Sequence, residues 1–186
     1  MIRSNPNGEY PKIEKSAYVD PSAVIIGKVK IGKNVFVAPG AVIRADEKGS
    51  SIVIKDNCNI QDRVIVHSLG NSMVTIGENT SLSHGCIVHG PCEIGKYCFI
   101  GFGSVIFRAE LKDGVFVECK AGVLGVDVPT GRMVGSGKMV DTERKAKRLK
   151  TVSKKFKEFN RTVLKANLDL LEGYKKGKAR KINNEG

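Results

Sequence analysis

Histidine is scarce in this chain: three residues in 186, at positions 67, 84 and 89, and none elsewhere. Long apolar runs are absent. None approaches the roughly 20 residues that a membrane-crossing helix needs, so no membrane span is expected. The opening MIRSNPNGEYPK has no apolar stretch of the kind that forms a secretory signal. Cysteine occurs five times, an odd number without a secretory signal, so reduced thiols and a cytoplasmic location are expected. Aromatic residues make up 6% of the chain and are not interleaved with the basic residues as stacking rings. Nucleic acid is therefore not an expected partner. With 41% hydrophobic residues the composition is that of a soluble globular protein, long enough for one domain with an appendage.

Positive charge is plentiful but uneven. From Asp141 onward 15 Lys and Arg stand against 6 Asp and Glu, a net of +9 that leaves only +3 of the chain's +12 for the body. A basic helix and tail suit an anionic partner, and a solvated helix face satisfies the same composition.

The body repeats itself. Aliphatic residues recur every six positions at Val19, Ile25, Ile31, Val37 and Ile43, at Ile54, Ile60 and Val66, and at Ile76, Leu82, Val88, Ile94, Ile100 and Ile106. After a one-residue contraction the series ends at Leu111, Val117 and Val123. Two positions before each aliphatic lies a small or β-branched residue, among them Ala23, Ala41, Val64, Thr80 and Ser104. A period of six is neither that of an amphipathic helix nor that of one alternating strand. It fits short parallel strands wound into a solenoid, three strands to an 18-residue coil, each strand sending one large and one small residue inward. Cys58, Cys86, Cys92 and Cys98 fall on the small inward position, where cysteine acts as a small hydrophobe rather than a metal ligand.

Two polar insertions interrupt the repeat, RADEKGSS (44–51) and SLGNSM (68–73). Loops leaving a rigid scaffold are common places for a site. Beyond Val128 the motif PTG ends the repeat, and Leu149, Val152, Phe156, Phe159, Val163, Ala166, Leu170 and Tyr174 recur at helical spacing. The expected organisation is an N-terminal segment and solenoid over 1–128, a linker over 129–140, a helix packed on the solenoid over 141–174, and a basic tail over 175–186. Asp141 or Thr142 is the expected cap of that helix, and Gly173 its terminator.

The histidines fit this register. His67 follows Val66 and His89 follows Val88, so both point outward from equivalent places 22 residues apart, one coil plus the four extra residues 70–73. Stacked strands lie about 4.8 Å apart, close enough for two imidazoles to converge on one metal ion. His84 comes two residues after Leu82, around a corner of the coil from His89. One chain does not easily bring it to the same ion; a neighbour in a cyclic assembly does. Three histidines with an open position form a donor set typical of catalytic zinc. Arg44 lies on the stack of His67 and His89, with Asp46 and Glu47 extending into the first insertion. Gln61, flanked by Asn59 and Asp62, lies on the face that bears His84.

The stretches IRADE (43–47), NIQDRVIVH (59–67) and SHGCIVHG (83–90), with NLDLLEGYK (167–175), resemble the gamma-class carbonic anhydrases, most closely the archaeal type. That resemblance implies a left-handed parallel β-helix and a homotrimer with interfacial sites for zinc or, without oxygen, ferrous iron. His67, His84 and His89 match the metal ligands. Glu47 matches the active-site carboxylate, Gln61 the amide that orients substrate, and Arg44, Asp46 and Asp62 an interfacial ion-pair cluster. Asn59 supports Gln61, and Asn167 matches an asparagine that approaches the pocket from the C-terminal helix. The implied activity is reversible hydration of CO2 to bicarbonate by hydroxide generated at the metal. The chain departs from the fast members in two places: Gly70 stands where they carry a proton-shuttling glutamate, and Lys165 where the prototype has a tyrosine. The alternatives are a hexapeptide-repeat acyltransferase, using one histidine as a base and coenzyme A as donor, and a scaffold subunit that keeps the fold without turnover.

Overall fold

The computed structural model describes the backbone of residues 1–184 and the side chains of 1–177. The molecule is mainly β, a solenoid of about seven turns followed by a C-terminal helix. Three sheets run along it, two of eight strands and one of six, with parallel pairing except at one terminal strand. The first, the histidine sheet, includes Val42–Ala45, Ile65–His67, Ile87–His89 and Val105–Phe107. The second includes Ser51–Ile54, Met73–Ile76 and Cys92–Ile94, and the third Asn59–Ile60, Ser81–Leu82 and Phe99–Ile100.

The six-residue aliphatics are the reason for this winding. Ile25, Ile43, Ile60, Leu82, Val88 and Ile106 are fully buried in one continuous core. Burying each such side chain contributes about 1.5–3 kcal/mol, and no single coil closes that core alone. The four inward cysteines belong to it. Burial pushes the thiols of Cys58, Cys86 and Cys98 up to about 12, so they stay protonated and unreactive.

The segment 129–140, expected as a linker, is instead another turn of the solenoid. Strand Arg132–Val134 pairs with Phe116–Val117, and Met139–Val140 with Gly122–Leu124. Val128, Val134 and Val140 are all buried in the core, continuing the six-residue phase past PTG.

The single helix expected over 141–174 is two helices. Helix α1 (Glu143–Lys147) is capped by Thr142, whose side chain accepts from the Lys145 N–H. Strand Lys150–Thr151 then pairs antiparallel with the strand Arg132–Val134, and α2 (Lys154–Asn184) follows. Leu149 and Val152 therefore lie outside any helix, and Gly173 lies within α2. The expected basic tail begins inside α2, and 185–186 lie outside the described residues.

Helix α2 lies along the third sheet, over an outward column formed by Tyr18, Phe36, Asn59, Ser81, Phe99 and Phe116 in register. Tyr174 stacks on Tyr18 at 5.0 Å, and Phe156 tilts against Phe116 at 4.8 Å. Between these aromatic clamps the column is polar, at Asn59 and Ser81. Among the described residues no helix is long and apolar enough to cross a membrane.

Candidate metal centre

On the histidine sheet Val66 and Val88 point inward and are fully buried, so strand alternation turns the next residue of each strand outward. Register then stacks Arg44, His67, His89 and Phe107 in one outward column. His67 Nδ1 lies 3.0 Å from His89 Nε2, with the two rings edge to face. His67 is 7% exposed. Burial, then the Arg44 guanidinium and the His89 ring, holds the His67 imidazole below its ordinary pKa, against the pull of Asp46 and Glu47. The neutral ring that this favours is the form that binds a metal.

Three polar atoms of this cluster, Asp46 Oδ1, His67 Nε2 and His89 Nδ1, are buried without a hydrogen-bond partner. His67 Nε2 lies 3.5 Å from Asp46 Oδ1 and 3.6 Å from Glu47 Oε1, close enough for charge to act but beyond a hydrogen bond. A metal fits the other two ring nitrogens: His67 Nδ1 and His89 Nε2 face each other at 3.0 Å, close to the roughly 3.3 Å between two nitrogens on one tetrahedral ion with bonds of 2.0–2.1 Å.

The two insertions clasp each other beside this column. The Asn71 N–H donates to the Lys48 carbonyl at 2.9 Å, and the Ser51 N–H to that of Ser72 at 3.0 Å. Arg44 Nη1 pairs with Asp46 Oδ2 at 3.0 Å. The Gly70 N–H donates to Glu47 Oε2 at 2.7 Å, leaving Oε1 on the His67 side. A β-carbon at Gly70 would lie 3.2 Å from Glu47 Oε2, tighter than most such contacts. The glycine standing where the resemblance places a shuttle carboxylate in other members thus holds the existing carboxylate with its backbone. Reading side chains from the sequence did not reveal this.

The remaining candidates gather at the corner between the third sheet and the histidine sheet. His84 sits in the turn after strand Ser81–Leu82, half exposed, with Nδ1 2.7 Å from Asp62 Oδ2. Phe102 lies beside the imidazole, with ring centroids 5.4 Å apart. Gln61 Nε2 donates to Asn167 Oδ1 at 2.6 Å and also to Asn59 Oδ1. Asn167 is itself oriented by donating Nδ2 to the Val163 carbonyl, 2.8 Å away on α2. Both Nε2 protons of Gln61 are thereby engaged, and Oε1 is the acceptor of that amide.

One chain therefore presents two separate clusters of the candidate residues. His67, His89, Arg44, Asp46 and Glu47 share the outer side of one sheet; His84, Asp62, Gln61, Asn59 and Asn167 share the neighbouring corner. Among the described residues no group of three His, Cys, Asp or Glu within one chain is arranged to hold a metal.

Residues 10–45 and 73–108 match the family model described as bacterial transferase hexapeptide, six repeats. The chain is 35% identical to a carbonic anhydrase of Methanosarcina thermophila, over 92% of this chain and 77% of that protein. It is 39% identical to the carboxysome assembly protein CcmM of a Nostoc strain over 88% of its own length, and spans only 31% of that longer protein. Among solved structures it resembles a hexapeptide transferase family protein from Anaplasma phagocytophilum, with a TM-score of 0.79 and 26% identity, covering 93% of this chain and 97% of that one.

Proposed function

We propose, from the premise that the chain belongs to the gamma-class carbonic anhydrase family, that it catalyses the metal-dependent reversible hydration of CO2 to bicarbonate at the interfaces of a homotrimer. What carries this reading is the split of the site: two histidine nitrogens facing each other at 3.0 Å on one sheet, and the third histidine at an adjacent corner. His67 and His89 of one chain and His84 of the next would hold zinc, or ferrous iron in the absence of oxygen. An apolar stripe supports the assembly. Val42, Ile65, Ile87 and Val105 line up outward beside the histidine column, where a solvent-facing sheet would carry polar residues. In the proposed trimer a second copy on this stripe would bring its own corner, with His84 and Phe102, towards the column.

When bound, the metal supplies Lewis acidity that brings the pKa of water to about 7, making hydroxide available at neutral pH. The protein supplies the rest. Glu47, gripped through Oε2 by the Gly70 N–H, keeps Oε1 beside His67 to accept a proton or hydrogen bond during attack on CO2. Gln61, fixed by Asn59 and Asn167, offers its amide carbonyl to a hydroxyl of the reacting species. Arg44, Asp46 and Asp62 contribute charge around the shared site; the Arg44–Asp46 pair lies on one side of it and Asp62 on the other.

No carboxylate stands at position 70 to carry the released proton to solvent, so that step limits turnover. Stopped-flow hydration with metal-loaded protein is expected to show kcat rising saturably with imidazole at constant ionic strength. Exchange of isotope between CO2 and bicarbonate, which does not need proton release, is expected to depend little on buffer. A high kcat indifferent to buffer would overturn the shuttle reading. The likeness to CcmM favours a second reading, a scaffold unit with little turnover; fully metal-loaded protein that does not hydrate CO2 would establish it over the first.

A further inference from the structure

The opposite edge of the third sheet, where it meets the second, holds a feature that the histidine site does not use. There α2 and the last coils enclose a cavity of about 520 Å3, with Phe116, Val152, Phe156 and Leu164 among its walls. That volume lies within the usual range for small-molecule sites. At its lip are Lys157 and Arg161, both exposed and without an ion pair among the described residues. The acid in the lining, Asp113, is engaged elsewhere: its Oδ1 accepts the Lys96 N–H at 2.8 Å.

Two details distinguish this place from an ordinary helix–sheet seam. Asn160 is 5% exposed and donates Nδ2 to the Tyr97 carbonyl at 3.0 Å, while its Oδ1 is buried with no hydrogen-bond partner. An unpaired buried acceptor costs free energy until a donor reaches it. Tyr97 itself has a φ of 56° and occupies a corner position held in neighbouring coils by Asn34, Asn57, Asn79, Gly114 and Gly131. Asparagine and glycine suit that left-handed conformation; a tyrosine there is strained. The strain places a large, 58% exposed ring at the cavity.

We propose that this cavity binds an amphiphilic monoanion: an aryl or acyl body against the apolar wall and Tyr97, a carboxylate or sulfonate head at Lys157 and Arg161, and a hydroxyl or N–H donor for Asn160 Oδ1. The geometry assigns each part of the ligand a named partner. The cavity's Asn160 precedes Asn167 by seven residues, about two turns along α2, and its ligand is independent of the activity assigned to the histidines.

Anilinonaphthalene sulfonate carries all three features and is the probe. On the assembled protein its fluorescence is expected to saturate at about one molecule per chain. The double substitution Lys157→Glu and Arg161→Glu, at exposed helix positions, is expected to weaken binding about tenfold or more by removing two cations. Thr130→Trp, which fills the cavity and leaves the charges in place, is expected to abolish saturable binding. Neutral anilinonaphthalene is expected to bind at least tenfold more weakly than the sulfonate. Equal affinity for the neutral compound, or unchanged binding in both variants, would overturn the proposal and mark the fluorescence as adsorption to other apolar surface.

Discussion

Alanine at His67 or at His84 is expected to empty every metal site when either variant is prepared alone, while an equal mixture refolded together recovers metal in about one quarter of them. The fraction follows from geometry and chance. A site takes His67 and His89 from one chain and His84 from the next in the ring. In a random mixture the chain with intact His67 precedes the chain with intact His84 at about one interface in four, and only there are all three ligands present. The control is decisive. His67→Ala mixed with His89→Ala is expected to recover nothing, because those two ligands come from the same strand stack of one chain. Metal content by elemental analysis and hydration rate should move together in both mixtures. Recovery in the control, or none in the first mixture despite mixed trimers, would refute the division of ligands between chains.

Glu47→Gln should cost roughly a hundredfold or more in CO2 hydration with metal still bound. The change keeps the length of the side chain, and the amide oxygen still accepts the Gly70 N–H, so the two clasped insertions have no reason to move. What disappears is the carboxylate oxygen 3.6 Å from His67 Nε2; the other carboxylate beside that atom, Asp46, is already paired with Arg44. A solvated loop charge would lose nothing by this exchange. Near-normal rate with full metal content would return Glu47 to that role, and a fall in rate that merely tracks lost metal would make it a structural residue.

The solenoid was legible because its core demand is simple. Each strand must hide one large residue, and the fully buried Ile54, Ile60, Val66, Ile76 and Leu82 stand six apart or, where an insertion intervenes, ten. The stack of His67 on His89 was legible for the same reason, as the register depends on coil length plus the 70–73 insertion. The final turn was obscured by its turn residues. Val128, Val134 and Val140 keep the phase, but PTG and the glycines at 131, 135 and 137 give a local pattern of loop, and they serve as corners of a tighter coil.

The helix boundary failed where tertiary pairing overrode periodicity. Leu149 and Val152 fit a helical stripe, yet Lys150–Thr151 gains a partner in Arg132–Met133 and Val152 packs against Phe99 and Phe116. Gly173 was expected to end α2 because glycine is about 1 kcal/mol worse than alanine in a helix. Leu171 and Tyr174, docked on Tyr18 and Phe36, hold the helix through that point. At the candidate site the residue types were readable, while the Gly70 N–H on Glu47 was not, since a backbone donor has no residue type to signal it.

Mass and metal content measured on one metal-loaded sample bear most directly on a site shared between chains. A trimer carrying about one ion per chain is expected. A monomer in solution that keeps one tightly bound ion would show that His67, His84 and His89 are not divided between neighbours, and with that the shared site is lost.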